Sequence, residues 1–340
     1  MTQLEPWALA AGLGLAASVA PWATVLTLSV LAAVATGLVD VPGDLQGLGS
    51  LWVLGPTLAL VVLHVLIHAR PIGWSIWELL HTPVRLVLPA LLLLLALSGP
   101  PGDPRARALD LGGALLLALA VSVLALMLRY GWTISFETMG RRPPHGGMGG
   151  AALLALGAAG LTLALMLQAV PTGAVALLLL GIVAALSRPA LRVAPMAPGL
   201  LRGLAVALGG GQGWRTGDAL PRWLRGGPDE EWNPGPDLRG TPAILYSGGD
   251  GGGFRSGWLI IDRGTPAFLF RSPARVWEVS LKEAVPVRDA ADGSQGTGRL
   301  LQRLPLRHQD REVVLATSRG GPPADRIRAE FPVVSETGNL

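Results

Sequence analysis

The first two thirds of the chain consist of long apolar runs, and the chain becomes polar near Gly209. Examples of these runs are LVLPALLLLLAL at 86–97, LGGALLLALAVSVLALML at 111–128 and GAVALLLLGIVAAL at 173–186. A water-soluble protein of 340 residues cannot bury this much apolar surface in its core. A mean hydropathy of +0.47 with only 15% charged residues points the same way. The sequence therefore predicts a helical membrane domain followed by a soluble domain.

Six segments of the first two thirds are candidate membrane spans. A bilayer core of about 30 Å requires roughly 20 apolar helical residues. The segments that meet or approach this length lie at about 7–38, 51–69, 84–98, 109–130, 149–169 and 172–188. The first is too long for one straight span and contains Pro21, which disrupts a helix, so we expect either a kinked helix or two half-helices. The third is short unless it includes the preceding IWELLHTPVR segment.

The basic residues predict how these spans are oriented. Most of them lie in alternate connections, at Arg70, Arg85, Arg141, Arg142, Arg188 and Arg192. Because cytoplasmic loops carry an excess of arginine and lysine, we expect six spans with both termini in the cytoplasm. Only the 99–108 connection disagrees, since it carries Arg105 and Arg107. The preference for arginine over lysine is typical of a GC-rich bacterial genome, so the expected location is the bacterial cytoplasmic (inner) membrane.

The segment PIGWSIWELLHTPVR at 71–85 differs from the spans because charged and aromatic residues recur in it at helical spacing. Tryptophan prefers the headgroup level of a bilayer, and an amphipathic helix lies in the interface. We therefore predict an interfacial connector in which Trp74, Trp77 and Arg85 contact lipid headgroups or a partner. The alternative is a re-entrant element that lines a cavity.

Several motifs between residues 9 and 186 carry a family resemblance. They are LAAGLGLAASVAPW near the start, SLWVLGPTLALVVLHVLIHARPIGWSIWELLHTPVR, and GGALLLALAVSVLALMLR. This region resembles the bacterial membrane family catalogued as domain of unknown function 4126. The matching positions are Trp52, Pro71, Gly73, Trp77, His81, Thr82 and Arg85. The resemblance implies a helical membrane fold and no particular activity. Members often carry acids where this chain has His64, His68 and Ser75.

The last third of the chain predicts a small β-rich domain. Residues 189–240 contain a short apolar helix and a Gly/Pro-rich linker, whose tryptophans indicate docking on the membrane surface or on the next domain. From Thr241, seven short strand-like runs and one helical segment follow at regular spacing. This order resembles a pleckstrin-homology-like barrel. The expected domains are 1–188 in the membrane, 189–240 as connector, 241–332 as cytoplasmic β domain and 333–340 as flexible tail.

Polar residues near Pro21 form a candidate solute path. Ser18 and Thr24 flank the proline, and a half-helix beginning there would direct its positive end at a neutral or anionic solute. His64 is essentially the one ionisable residue that we expect inside a span, and no buried carboxylate is expected to drive coupled transport. His64 and His68 have the spacing of a metal pair, but two nitrogens do not complete a site. We expect no bound metal.

Three arginines outside this path are candidate contacts for headgroups or partners. Arg255 lies in the glycine-rich SGGDGGGFRSG stretch at 247–257, which lacks the lysine of a phosphate-binding loop. We expect a mobile hairpin loop there, or a loop that touches anionic headgroups through Arg255. Arg141 and Arg142 lie on the predicted cytoplasmic rim. They either anchor the spans or form a docking surface for the β domain.

The function favoured by the sequence is non-catalytic. The chain has no cysteine, which excludes disulfides and thiolate sites, and it shows no G-x-S-x-G nucleophile motif. Acidic residues interleave with the arginines, so nucleic-acid binding is not expected, and nothing calls for a cofactor. We predict a membrane scaffold or accessory protein whose β domain binds a partner protein or the membrane surface, or which forms a homo-oligomer. The alternatives are a channel or carrier for a small solute and an enzyme acting on lipid.

Overall fold

The structure, a computed structural model, describes most of the chain. The described residues are 5–34, 41, 43–68, 71–98, 104–141, 143, 147–208, 213–225, 234–247, 253–271, 276–287, 300–309 and 311–332. The chain divides into two compact units. The helical unit comprises Met1–Arg129 and Pro144–Arg188, and the sheet unit comprises Tyr130–Pro143 and Pro189–Leu340. The expected connector at 189–240 therefore belongs to the same unit as the strands, and so does the end of the fifth helix.

The helical unit is built from apolar helices. In chain order they are α1 (Glu5–Val19), α2 (Pro21–Val34), α3 (Leu51–Ile67), α4 (Pro71–Leu97), α5 (Pro104–Thr138), α6 (Met148–Leu167) and α7 (Ala169–Leu186), with a 3-10 helix at Gly43–Gly49. The first apolar segment is thus two short helices that are separated at Ala20, where the proline begins α2.

Four helices in the described part of the chain are long and apolar enough to cross a membrane. Their apolar windows are Leu80–Leu97, Asp110–Thr138, Met148–Leu167 and Ala169–Leu186. Pro21–Val34 and Leu51–Ile67 are apolar but shorter. These helices indicate a membrane protein, as the sequence predicted. The number of six spans stays a prediction, because four helices of the described residues reach the length of a span.

The 71–85 segment is continuous with the third candidate span, which is thereby lengthened in the way that the sequence left open. It forms the first part of α4, which continues through Pro83 and Pro89 to Leu97. Residues seven apart lie two turns apart on the same helix face, and Glu78 and Arg85 use this spacing to pair with each other. The ion pair runs along the helix and therefore supports its continuity through this stretch.

Small residues bring the helices of this unit close together. A Cβ added at Gly173 would lie 2.6 Å from the backbone of Ala8, and one at Gly14 would lie 3.1 Å from the Ala118 carbonyl oxygen. The helix α1 is therefore in backbone contact with both α7 and α5. Such approaches are typical of membrane helices, which gain van der Waals contact rather than hydrophobic burial when they associate.

The sheet unit contains a curled antiparallel half-barrel. Its strands are β1 (Arg215–Thr216), β2 (Arg239–Ser247), β3 (Phe254–Asp262), β4 (Thr265–Arg271), β5 (Val276–Ser280), β6 (Val285–Pro286), β7 (Leu301–His308) and β8 (Arg311–Ser318). Their order is β5-β4-β3-β2-β8-β7-β6, with β1 paired to β2. The helices α8 (Arg188–Val193) and α9 (Ala197–Leu208) precede the sheet, and α10 (Ala324–Arg328) follows it. The predicted β-rich domain with a C-terminal helix is confirmed.

Both faces of the sheet are covered by apolar side chains. One face packs Leu259, Phe268 and Leu315 against Ile327 and Phe331 at the end of the chain. The other face is covered by the connector, which contributes Leu220, Leu224 and Leu238. Trp214 packs against the first of these clusters and Trp223 against the second. Trp232 lies outside the described residues. The connector is therefore part of the folded sheet unit.

Candidate functional site

Three charged side chains meet inside the helical unit. Glu78 and Arg85 are 0% exposed, and the Arg129 side chain is 8% exposed. Arg85 binds both oxygens of Glu78, with Nη1 donating to Oε2 and Nη2 donating to Oε1 at 3.0 Å. Arg129 Nη2 donates to Oε1 at 2.6 Å. One carboxylate thus bridges two guanidinium groups, and we call these three residues the charged triad.

The triad follows from helix geometry on α4 and from the position of Arg129 on α5. Glu78 and Arg85 share a face of α4 because they are seven residues apart. Bidentate guanidinium–carboxylate pairs are the strong charge-assisted hydrogen bonds of proteins. Burial of charge is costly, and only such pairing makes it tolerable. The triad therefore holds α4 and α5 in one specific arrangement.

Aromatic and histidine rings form a second group in the same unit. Trp77 stacks on His81 with ring centroids 3.7 Å apart. The Trp77 indole Nε1 donates to His64 Nδ1 at 2.5 Å. His68 lies against His64 with a centroid distance of 4.3 Å, and Trp22 meets His81 edge-on at 5.7 Å. We call these five residues the ring cluster.

The hydrogen bonds define which nitrogen of each ring carries a proton. The indole N–H is only a donor, so His64 Nδ1 must accept, and the neutral His64 ring is protonated on Nε2. His68 Nδ1 faces the His64 carbonyl oxygen at 2.6 Å, and His81 Nδ1 faces the Trp77 carbonyl oxygen at 2.9 Å. Carbonyl oxygens only accept, so both of these Nδ1 atoms are protonated donors. His64 therefore has the opposite tautomer to its two neighbours.

A small cavity lies at the break between α1 and α2. Its lining residues are Ala20, Pro21, Trp22, Ala23, Val61, His64 and Ala155. The volume open to a water-sized sphere is about 10 Å³. The helix resumes after the break with the Thr24 amide donating to the Ala20 carbonyl oxygen at 3.1 Å. The cavity is thus lined by the beginning of α2 and by two members of the ring cluster, Trp22 and His64.

The four residues of the predicted solute path lie near this cavity, but only two of them line it. Pro21 and His64 line the same cavity. Ser18 and Thr24 are buried, and their hydroxyl groups donate to carbonyl oxygens of the preceding turn, at Gly14 (2.5 Å) and Ala20 (3.2 Å). Both hydroxyl groups therefore donate their proton to a backbone carbonyl oxygen four residues earlier in the chain.

Of the residues predicted to contact headgroups or a partner, some are buried, some are exposed and some are not described. Trp77 and Arg85 are buried, because the first is bonded to His64 and the second to Glu78, so they do not lie on a surface. Arg141 is exposed, and Arg255 is exposed on β3, where its guanidinium lies 5.1 Å from the centre of the Phe270 ring. Arg142, the side chain of Trp74 and the glycines at 248–252 lie outside the described residues.

The expectation of an almost uncharged helical interior is wrong. Glu78 lies in the segment that was expected at the interface, and Arg129 lies at the end of the candidate span 109–130, so neither was expected to be buried. A signal for the pair was present, because Glu78 and Arg85 are spaced by two helical turns in an otherwise apolar stretch. Nothing in the sequence indicated that Arg129 on another helix would join them.

The described residues contain no group of three or more His, Cys, Asp or Glu side chains arranged to hold a metal ion.

In the sheet unit, hydrogen bonds connect the end of α5 to β7. Glu137 Oε2 accepts from the amides of Leu300 (2.8 Å) and Leu301 (3.2 Å), and Arg303 Nε donates to the Thr138 carbonyl oxygen at 3.0 Å. Burial lowers the pKa of the Arg303 guanidinium. These hydrogen bonds fix the end of α5 against the start of β7, which is a structural role.

The chain matches no family model, no curated protein and no solved structure. The resemblances to domain of unknown function 4126 and to pleckstrin-homology-like barrels therefore stay predictions. Of the residues that carry the first resemblance, Trp77, His81 and Arg85 lie in the ring cluster or the charged triad. The fold and the site together define a membrane protein with a buried, charged and histidine-rich site.

Proposed function

We propose that the helical unit is a channel or carrier for a small neutral or anionic solute, built around the break at Pro21. The observation that carries this proposal is the complete burial of Glu78 and Arg85, with the nearly buried Arg129 bound to the same carboxylate. Ionisable side chains inside a membrane domain generally mark ion or solute pathways, because withdrawing a charge from water costs several kcal/mol. The sequence predicted no buried carboxylate that could drive coupled transport, whereas the carboxylate of Glu78 is fully buried.

The broken helix supports the same function. Transporters commonly bind solutes at discontinuous helices, where the N-terminus of a half-helix presents its positive end. Here α2 begins at Pro21, and the cavity at this position is lined by residues that include Ala20, Ala23 and His64. In the proposed arrangement six apolar segments cross the cytoplasmic membrane of a bacterium and both termini face the cytoplasm, as the arginine distribution predicts.

Flux through proteoliposomes tests the proposal. The purified protein is reconstituted, and swelling in neutral solutes and anion efflux are measured against protein-free vesicles. We expect protein-dependent flux that falls at least tenfold in Glu78→Gln, because this change removes the charge that bridges two arginines. Arg141→Gln is the matched control, since Arg141 is exposed, and it should leave flux unchanged. Flux no faster than in protein-free vesicles, across both solute classes, would sink the proposal.

A second candidate function concerns the sheet unit, and a specific surface favours it. Trp277 on the edge strand β5 is 51% exposed, and its ring is parallel to that of Phe270 at 6.4 Å. Arg255 lies over the same Phe270 ring. Exposed tryptophan and arginine are typical of binding surfaces. The strand order, with the last strand beside β2 and a helix after it, supports the pleckstrin-homology-like resemblance and hence an accessory or scaffold function.

Purification in mild detergent tests this second candidate. A stoichiometric partner, or a defined homo-oligomer, should be recovered with the intact protein and lost in Trp277→Ser. Glu312→Gln on β8 is the control, because Glu312 is also exposed but lies on a different strand. If the protein is purified as a monomer without a partner, and if it also does not bind vesicles, the proposed scaffold function is wrong.

A further inference from the structure

We propose that Arg202 and Arg215 of the sheet unit bind the phosphate group of an anionic phospholipid at the surface of the membrane. The inference goes beyond the proposed function, because these residues belong neither to the helix break nor to the surface around Trp277. Four features carry it: the place of the arginines in the chain, the lack of nearby carboxylates, the closeness of the two cations, and the packing that supports them.

The arginines follow an apolar helix that is long enough to cross a membrane. The last candidate span is Ala169–Leu186, and α8 begins at Arg188. Arg192 lies one turn later, and both arginine side chains are exposed. Arg202 follows on α9, about 16 residues after the span, and this length of helical chain reaches roughly 24 Å. Basic groups just outside a span are typical of segments that bind anionic lipids.

Carboxylates are absent from the sequence around these arginines. From residue 138 to residue 217 the chain has no aspartate and no glutamate. Asp218, the next acid along the chain, pairs with Arg225. Among the described residues, no carboxylate forms an ion pair with Arg188, Arg192, Arg202 or Arg215. The positive charge of this segment is therefore not neutralised by ion pairs within the described part of the chain.

The fold brings two of these cations together. Burial lowers the pKa of the Arg215 guanidinium, and the like charge of Arg202 lowers it further. The two guanidinium groups, one on α9 and one on β1, are therefore close enough to repel each other. An anion that contacts both relieves this repulsion. Phosphate suits the position, because a guanidinium donates paired, charge-assisted hydrogen bonds to phosphate oxygens.

Arg215 is supported by the sheet. It lies on β1, opposite Gly240 of β2, and its guanidinium carbon lies 5.5 Å from the centre of the Trp258 ring. A guanidinium over an aromatic face is attracted to the ring and keeps the N–H groups at its edge for hydrogen bonding. The Arg215 side chain is partly exposed, so a ligand from outside can reach these donors.

Arg202 lies on the outer side of α9. Ala197, Leu200 and Leu204 share the other side of the helix, and all three are buried. A Cβ added at Gly203 would overlap the Ser318 side chain, so this side packs closely against β8. Because the apolar side of α9 is used within the sheet unit, the helix does not offer it to lipid tails. Contact with the membrane is then made by charge at the headgroup level rather than by insertion of an apolar face.

Native mass spectrometry of the intact protein tests this assignment. The detergent-solubilised protein is mixed with increasing amounts of phosphatidylglycerol, which is anionic, or of phosphatidylcholine, which has no net charge, and the bound lipids are counted. We expect tighter binding of phosphatidylglycerol. Arg202→Gln and Arg215→Gln should each weaken it by about fivefold, whereas Arg202→Lys keeps the charge and should keep most of the binding. Arg326→Gln on α10 is the matched control, since Arg326 is also exposed.

The outcomes do not depend on whether the protein conducts a solute. A preference for phosphatidylglycerol that both glutamine variants weaken and the control retains supports the lipid site. Equal binding of the two lipids, or an equal loss in Arg326→Gln, overturns it. If inorganic phosphate displaces phosphatidylglycerol at an equal concentration, the ligand is free phosphate and the lipid assignment is wrong. An acidic protein that co-purifies with the intact chain and is lost in Arg202→Gln would also overturn it. Circular dichroism and elution volume establish that each variant is folded.

Discussion

The helical unit and the sheet unit differ in where the ion pairs of their described residues lie. In the helical unit the charged triad is enclosed, with both Glu78 and Arg85 fully buried. In the sheet unit the Arg225–Asp218 pair lies at the surface, and the Asp218 side chain is fully exposed. The core of the sheet unit is instead apolar and includes Phe268 and Leu315.

Different forces hold the two units together. Lipid surrounds membrane helices with material as apolar as their own side chains, so close packing and polar contacts decide how they meet. Water surrounds a sheet domain, so burial of large apolar side chains supplies most of its stability. The charged triad therefore specifies helix positions, whereas the Arg225–Asp218 pair adds little.

The largest effect is expected from Glu78→Gln. The substitution leaves Arg85 and Arg129 buried without the carboxylate that binds both, and breaking a buried ion pair costs about 3–5 kcal/mol. The free energy of unfolding in detergent, from titration with a denaturing detergent, measures the loss. Asp218→Asn is the control and should cause no measurable change, because exposed pairs are screened by water. Equal effects of the two changes would contradict the contrast.

Glu137→Ala in the sheet unit should rank second. Glu137 accepts from two backbone amides at the start of β7, and both Leu300 and Leu301 are buried. Leaving buried donors without an acceptor costs about 1–3 kcal/mol. Chemical denaturation followed by tryptophan fluorescence measures it. Glu137→Gln retains one acceptor oxygen and should recover part of the loss. A full loss in the glutamine variant would show that charge, rather than hydrogen bonding, is what β7 requires.

Gly173→Ala tests the close helix packing and should cost about 1–3 kcal/mol, because overpacking displaces neighbouring backbone. The added Cβ would lie 2.6 Å from Ala8. Gly181→Ala on the same helix is a matched control, since nothing lies within 4 Å of its added Cβ. That change should be neutral or stabilising by up to about 1 kcal/mol. If the two variants have the same melting temperature, the contact between α1 and α7 is not tight.

Trp277→Ser should change stability least. The ring is half exposed on an edge strand, and surface substitutions usually fall within about 0.5 kcal/mol. A thermal melt that moves by several degrees would instead make Trp277 part of the core of the sheet unit. An unchanged melt together with lost partner binding would mark it as a binding residue.

Much of the fold was predictable from residue patterns. Apolar runs such as 173–186 are long enough for helices, and the alternation of short strands with turn residues after Thr241 is enough for a sheet. The site was less predictable. Pro21 and His64 were singled out as path residues, and both line the cavity, but Glu78 and Arg85 were assigned to a surface. Periodicity shows that two residues share a helix face, yet it does not show whether that face meets lipid, water or another helix.

Local composition and the chemistry of proline decide where apolar helices and strands occur and where a helix breaks, so these features can be read from the residues alone. Only the tertiary structure decided that Arg129 joins Glu78 and Arg85, that the indole of Trp77 sets the tautomer of His64, and that the connector covers one face of the sheet. These contacts join residues that are far apart in the chain. Their energy depends on distance and on exclusion of water, and neither quantity is a property of a local stretch of sequence.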